Sequence, residues 1–222
     1  MKTSLVKKYW MAATGLFLCL FLVGHLLGNL QLFISGEEGQ LQFNAYAKFM
    51  TSNPIVKILS YLTYISILFH AFDGLLLTIK NRSARPARYV YERADRNSIW
   101  SSRNMGILGT VILAFLVTHM ANFWAVMHFG EIGQDTAGNK DLHTVVMAFF
   151  RSEDFGLIAT ALYVASMFAV SFHLVHGFKS AFQSVGLSHR KYNAILGYLG
   201  YGFSIVVPGL FAAIPVYIYL TK

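Results

Sequence analysis

The sequence predicts an all-α membrane protein: a bundle of five transmembrane helices, N-terminus in the cytoplasm and C-terminus outside, forming a single transmembrane domain over residues 1–222. Three observations predict it. Of 222 residues, 55% are hydrophobic and 13% charged, with a mean hydropathy of +0.51; soluble domains rarely combine these values. Five apolar runs are long enough to cross a hydrocarbon core of ~30 Å, which takes about 20 helical residues at ~1.5 Å each. Lysine and arginine also divide unequally between the two sets of connections, thirteen against five, which sets the orientation.

The first run covers about 9–34. It follows Lys2, Lys7 and Lys8, as the core of a signal peptide would, but it runs on too far and shows no small-residue cleavage site. A retained transmembrane helix is expected. Cys19, inside this run, is the only cysteine. No disulfide framework, thiolate metal site or C-x-x-C-H haem attachment can be built from it.

The second run, 55–79, starts behind Pro54, a favourable position for proline at a helix start. It leads into a basic stretch of Lys80, Arg82, Arg85, Arg88, Arg93, Arg96 and Arg103. That stretch is a cytoplasmic-side signal and a candidate docking surface for an acidic partner. The third and fourth runs cover 104–128 and 156–182, separated by a polar connection over 129–155 that is too short for a domain. The fifth, 193–220, carries Pro208 and Pro215 and predicts a kink near Pro208. There is no Walker loop, no G-x-G-x-x-G after a strand and no Ser/His/Asp arrangement. The net charge of +8 is spread as a topology signal, so no nucleic-acid partner is expected.

Of eight histidines, His128, His143 and His189 stand at helix ends or in connections, where a solvated ring is expected. The other five lie in apolar runs, where a titratable side chain is costly and faces a cofactor, a cavity or a partner. Depth sorts four of them. His25 and His119 lie ~24 and ~22 Å from the cytoplasmic ends of their helices, and His70 and His173 each ~14 Å from theirs. Two pairs result, His25 with His119 toward the outside and His70 with His173 toward the cytoplasm. Two imidazoles at one depth on facing helices are what a six-coordinate b-type haem needs. Gly24, Gly28, Gly74 and Gly177 let backbones or a flat ring approach, while helix 3 offers only Asn122 at the corresponding place. His176 reads as a supporting or propionate contact rather than a fifth ligand. Asp73, three residues after His70, reads as an intramembrane carboxylate that pairs with Lys or Arg.

In this order and topology, His25-Leu26-Leu27-Gly28-Asn29, His70-Ala71-Phe72-Asp73-Gly74 with the Lys80–Pro86 basic stretch, Val117-Thr118-His119 and Phe172-His173-Leu174-Val175-His176-Gly177 resemble the dihaem cytochrome b membrane anchor of succinate:quinone oxidoreductases, a class that includes quinol:fumarate reductases. The resemblance spans essentially the whole chain. It implies two haem b groups, with His25 and His119 on the distal iron and His70 and His173 on the proximal one. It also implies a flavoprotein and an iron–sulfur subunit on the cytoplasmic face, and electron passage to or from a quinone, typically menaquinone, near the distal haem. Asn29, Gln31, Asn44 and Tyr46 stand where they offer hydrogen bonds to a quinone. Some dihaem fumarate reductases carry a glutamate two residues before the helix-4 ligand; here that position is Ser171, so their proton route is not implied. A bacterial-type cytoplasmic membrane is the expected location, with lipid around the bundle. Two other readings fit the residues: the dihaem anchor of another respiratory enzyme, such as a hydrogenase or formate dehydrogenase, and a haem-free transporter or structural membrane protein.

Overall fold

A computed structural model describes residues 2–84, 96 and 98–221. Arg85, Arg88 and Arg93 of the basic stretch lie outside the described residues. Among the described residues the chain is helical, and five helices are long and apolar enough to cross a membrane: Leu5–Phe33, Pro54–Ser83, Met105–Phe129, Gly156–Ser184 and Asn193–Leu220. Each falls on one of the five apolar runs.

In chain order the helices are α1 (Lys2–Asn29), α2 (Gly36–Ser52), α3 (Pro54–Ser83), α4 (Trp100–Arg103), α5 (Met105–His119), α6 (Ala125–Phe129), α7 (Leu142–Arg151), α8 (Gly156–Ser184) and α9 (Asn193–Leu220). A 3₁₀ turn, Leu30–Phe33, extends α1, and a π-helical turn, Met120–Trp124, joins α5 to α6. The starts and stops have local causes. The Asn53 side chain accepts from the backbone N–H groups of Ile55 and Val56, and Pro54 takes the first helical position, where its missing donor is not needed. After α8, Gly186 adopts φ +82, and the Leu187 N–H returns to the Phe182 carbonyl. This left-handed stop suits glycine.

Helices α1, α3, α5 and α8 form a closed ring of neighbours, and α9 packs along α8 and α1. α9 is unbroken across Pro208 and Pro215, both of which are buried. The connections are more ordered than a polar loop. α2 and α7 pack on each other at one end of the bundle, joined by Asn44, which is fully buried. Its amide donates to Asp135 (3.2 Å) and Asp141 (2.9 Å), and its carbonyl accepts from the His143 backbone N–H (2.9 Å). The Arg151 guanidinium, at the end of α7, donates to the carbonyls of Ile218 and Thr221 at the end of α9, where a cation meets the helix dipole favourably. The chain's own apolar core is at this same end: Leu32, Phe43, Val146, Phe150, Ala159, Ile214 and Ile218.

Candidate functional site

The middle of the helix ring is hollow. A cavity of about 1730 Å³ runs through it and is lined by His25, His70, His119, His173 and His176. The two pairs that depth assigned are the pairs the fold brings together. The rings of His25 and His119 stand 5.8 Å apart, centroid to centroid, at 85°. Those of His70 and His173 stand 6.2 Å apart at 66°. Phe21 stacks on His25 at 5.3 Å, and Phe115, Phe123 and Tyr163 surround His119.

Ring orientation is best defined at His70. The buried Thr14 hydroxyl lies 2.9 Å from the Trp10 carbonyl, 3.2 Å from the Met11 carbonyl and 3.2 Å from His70 Nδ1. A carbonyl can only accept, so the hydroxyl proton goes to the backbone and the hydroxyl oxygen accepts from His70 Nδ1–H. The ring's lone pair is then on Nε2. A metal-ligating histidine needs this arrangement, in which the second nitrogen is held by a partner while the first binds. Gly15 lies alongside; a Cβ there would be 3.2 Å from His70 Cε1. On the other helices, His119 Nδ1 and His173 Nδ1 are buried without a hydrogen-bond partner. Such orphaned polar atoms inside a protein call for an explanation.

The residues fit a haem. An imidazole nitrogen binds a first-row metal at about 2 Å and lies about 1.1 Å from its own ring centre, so two rings on one axial line stand about 6.3 Å apart. Both pairs come within half an ångström of that. Two imidazoles alone leave an iron short of ligands, and among the described residues no three His, Cys, Asp or Glu side chains converge. A macrocycle would supply the missing four nitrogens. Pockets for single drug-sized ligands occupy about 300–1,000 Å³, so this cavity has room for two such groups. Gly74 and Gly177 line it with open space where a Cβ would project, apart from single contacts at 3.9 and 4.0 Å.

Several expectations change. Asn44 cannot serve a quinone, because its amide is fully buried and committed to Asp135, Asp141 and His143. Gly28 makes room for the Tyr46 ring rather than for a cofactor, and the Tyr46 hydroxyl donates to the Gly24 carbonyl at 2.9 Å. Asn29 donates to the His25 carbonyl at 2.8 Å. His143 is not solvated: it packs against Phe43, and its Nε2 is buried without a partner. Burial pushes its pKa down, against the opposing pull of Asp141. Burial pushes the Asp135 and Asp141 carboxyls up, but hydrogen bonds more than offset it and hold both below their usual range. These bonds come from Asn139, Asn44 and Ala137 to the first, and from Thr144, Asn44 and Gln40 to the second. Asp73 is buried and pairs with Lys7 at 3.8 Å, as its position suggested. His176 lines the cavity and takes no hydrogen bond among the described residues.

Two features were missed. Thr14 is 56 residues from His70, and nothing in either segment announces the contact. The π-helical turn that follows His119 has no composition of its own. Searches against family models, curated proteins and solved structures found no match for this chain.

Proposed function

We propose that this chain is the dihaem cytochrome b subunit of a succinate:quinone oxidoreductase or quinol:fumarate reductase. In this reading His25 and His119 hold one haem, His70 and His173 hold the other, and a flavoprotein and an iron–sulfur subunit dock on the cytoplasmic face. The observation that carries it is the spacing of two imidazole pairs, each close to the separation that one shared iron requires, inside one apolar cavity.

Haem held by two histidines supplies one-electron transfer without an open iron position. The chain's own part is positional. Thr14 keeps the His70 lone pair toward the cavity, Phe21 and Phe211 flank His25, and the aromatic residues around His119 exclude water. Lys80, Arg82, Arg96 and Arg103 give the α3–α5 side its positive charge, which suits both a cytoplasmic location and an acidic partner. Quinone, with menaquinone the expected type, is exchanged at the opposite end, near the distal pair.

The test is a pyridine haemochrome assay and a reduced-minus-oxidised spectrum of the purified membrane protein. Two b-type haems per chain are expected, with flavin and iron–sulfur polypeptides co-purifying. A well-folded preparation without a b-type band would end the proposal in favour of a haem-free transporter. Two haems with a different set of companion polypeptides would reassign the chain to another respiratory complex.

A further inference from the structure

The cavity is not closed on all sides. Among the described residues, every large apolar side chain that both lines it and is exposed belongs to α3 or α5. Phe72, Leu75 and Ile79 form one edge, and Ile107, Val111 and Leu113 the other. Phe72 and Leu75 are 58% and 57% exposed, so they meet lipid as well as the cavity. α1, α8 and α9 also carry exposed apolar residues, such as Leu20, Phe168 and Ile205, but these do not reach the cavity. The opening is therefore one seam of the ring.

Two contacts bound this seam. At one end, Gly106 of α5 lies so close to Thr78 of α3 that a Cβ on the glycine would be 2.8 Å from Thr78 Cγ2. At the other end, the Trp124 indole N–H donates to the Tyr64 oxygen at 2.8 Å. Tyr64 and Thr78 are fourteen residues apart, about 21 Å along α3 at ~1.5 Å per residue. Counting eight residues from the Thr78–Gly106 contact along each helix reaches His70 on α3 and Ala114 on α5. The open length thus lies beside His70.

The same seam is the least tied. α3 and α5 touch each other less than any other neighbouring pair in the ring. Lys7–Asp73 and Thr14–His70 cross from α1 to α3, Phe115 of α5 meets Tyr163 of α8 edge-on at 5.1 Å, and α9 backs α1 and α8. Helices in lipid gain little from packing apolar faces together, so an untied seam parts at small cost. A flat ligand passing edge-on needs about 7–8 Å between the carbons on its two sides, twice an ordinary carbon contact of ~3.5–4.0 Å. Rim side chains that face lipid can swing aside to give it. The two ends of the bundle offer no such route, being fastened by the α2–α7 core and by the Lys7–Asp73 pair.

We propose that the α3–α5 seam is a lateral portal through which a porphyrin-class macrocycle passes from the bilayer to His70 and His173, with Thr78–Gly106 as its closing contact. The proposal rests on the reading that this pair holds a haem, and it adds the route. A portal has a kinetic signature that a binding contact lacks. Restricting a path slows entry and exit by one common factor and leaves affinity unchanged.

The experiment locks the seam and follows one haem. Thr78→Cys and Gly106→Cys are introduced together into full-length protein carrying Cys19→Ser. A Cβ at Gly106 stands 3.5 Å from the Thr78 Cβ, within reach of a disulfide. Protein from haem-starved cells takes up haemin in detergent, and loaded protein gives haem up to excess apo-globin, each followed by absorbance. His173→Ala shows which phase belongs to the His70–His173 pair. Oxidised protein should exchange that haem roughly tenfold more slowly in both directions than the same protein after dithiothreitol, with the same final occupancy. The other phase should not change, because Trp124 and Tyr64 close the seam on its side. Gly109→Leu tests the seam without a disulfide. Gly109 lines the cavity with open space where a side chain would project, and leucine there should slow uptake and release by a common factor. Equal rates before and after reduction, unchanged rates in Gly109→Leu, slowing of release alone, or equal slowing of both haems would overturn the portal. If wild type takes up two haems and these results fail, only the portal falls and the dihaem reading stands. Wild-type protein that takes up no haem removes both.

Discussion

Thr14→Val isolates the contribution of a single hydroxyl. Thr14 is 6% exposed, and valine fills the same space. The substitution removes the hydroxyl oxygen 3.2 Å from His70 Nδ1 and leaves the Met11 carbonyl as the remaining acceptor beside that ring. His70 is then held by one acceptor in place of two, and the other tautomer, whose cavity-facing nitrogen has no lone pair to offer, becomes easier to reach. The loss of one net hydrogen bond costs about 0.5–1.5 kcal/mol, which corresponds to roughly two- to twelvefold in affinity at that pair. The His25–His119 pair is untouched and serves as an internal control. Haem transfer to an excess of apo-globin should give two similar slow phases in wild type. In Thr14→Val one phase should be faster by that factor, and Thr14→Ser, which restores the oxygen, should return it toward wild type. Unchanged phases in Thr14→Val, equal acceleration of both, or no rescue by serine would refute the argument that a hydroxyl oxygen fixes the tautomer.

His173→Ala should leave one haem per chain and His176→Ala two, by pyridine haemochrome; loss of a haem only in the second would move the α8 ligand to His176. Cells starved of a haem precursor should yield protein that unfolds at a lower temperature and recovers on haem addition, since a ligand that binds only the folded state adds about 2.7 kcal/mol at a hundredfold excess over Kd. The α2–α7 contact should loosen in acid. Asp135 and Asp141 have depressed pKa values when folded, so their contribution is complete above the ordinary carboxylate range of about 4 and disappears as pH falls through their lower folded values. Limited proteolysis of residues 36–52 and 142–151 should therefore increase below about pH 4. Asn44→Ala, which removes three hydrogen bonds to this contact, should produce the same susceptibility at neutral pH.

The parts of this molecule that the sequence displays are those with a long-range regularity. Membrane helices are written as length and hydropathy, so all five spans are visible. Histidine depth is a count of residues from a helix end, and in antiparallel helices that count alone matches His25 to His119 and His70 to His173. What stays hidden depends on contacts between distant segments or on a change in backbone geometry. Thr14 touches His70 across 56 residues. Gly28 looks like a cofactor groove until Tyr46, from a different helix, fills it. Asn44 looks like a free polar group because the two aspartates that engage it lie 91 and 97 residues away. The π-helical turn adds no recognisable residue; it only changes which side chains share a face, and with them whether Trp124 faces the cavity.

The distribution of cohesion in the bundle follows from the solvent on each side. Within lipid, helices gain little from hiding apolar surface, because the acyl chains are as apolar as leucine; close packing and polar contacts between helices must do the work. The ring of α1, α3, α5 and α8 has such contacts: Lys7 with Asp73 and Thr14 with His70 between α1 and α3, and Asn122 with Tyr163 between the π-helical turn and α8. Against α8, Gly200 of α9 lets the Phe178 ring come close. At the end where α2 and α7 lie, water is available, and the chain builds an ordinary apolar core closed by a buried asparagine. Between that core and the Lys7–Asp73 pair at the other end, the centre is left open, and its orphaned ring nitrogens sit at the same levels as the imidazole pairs. A bundle fastened at both ends and open in the middle can keep its shape whether or not its interior is filled. Under the dihaem proposal, two haems would complete the packing that the helices leave unfinished, and ligand binding and folding would be one process at the level of the histidines.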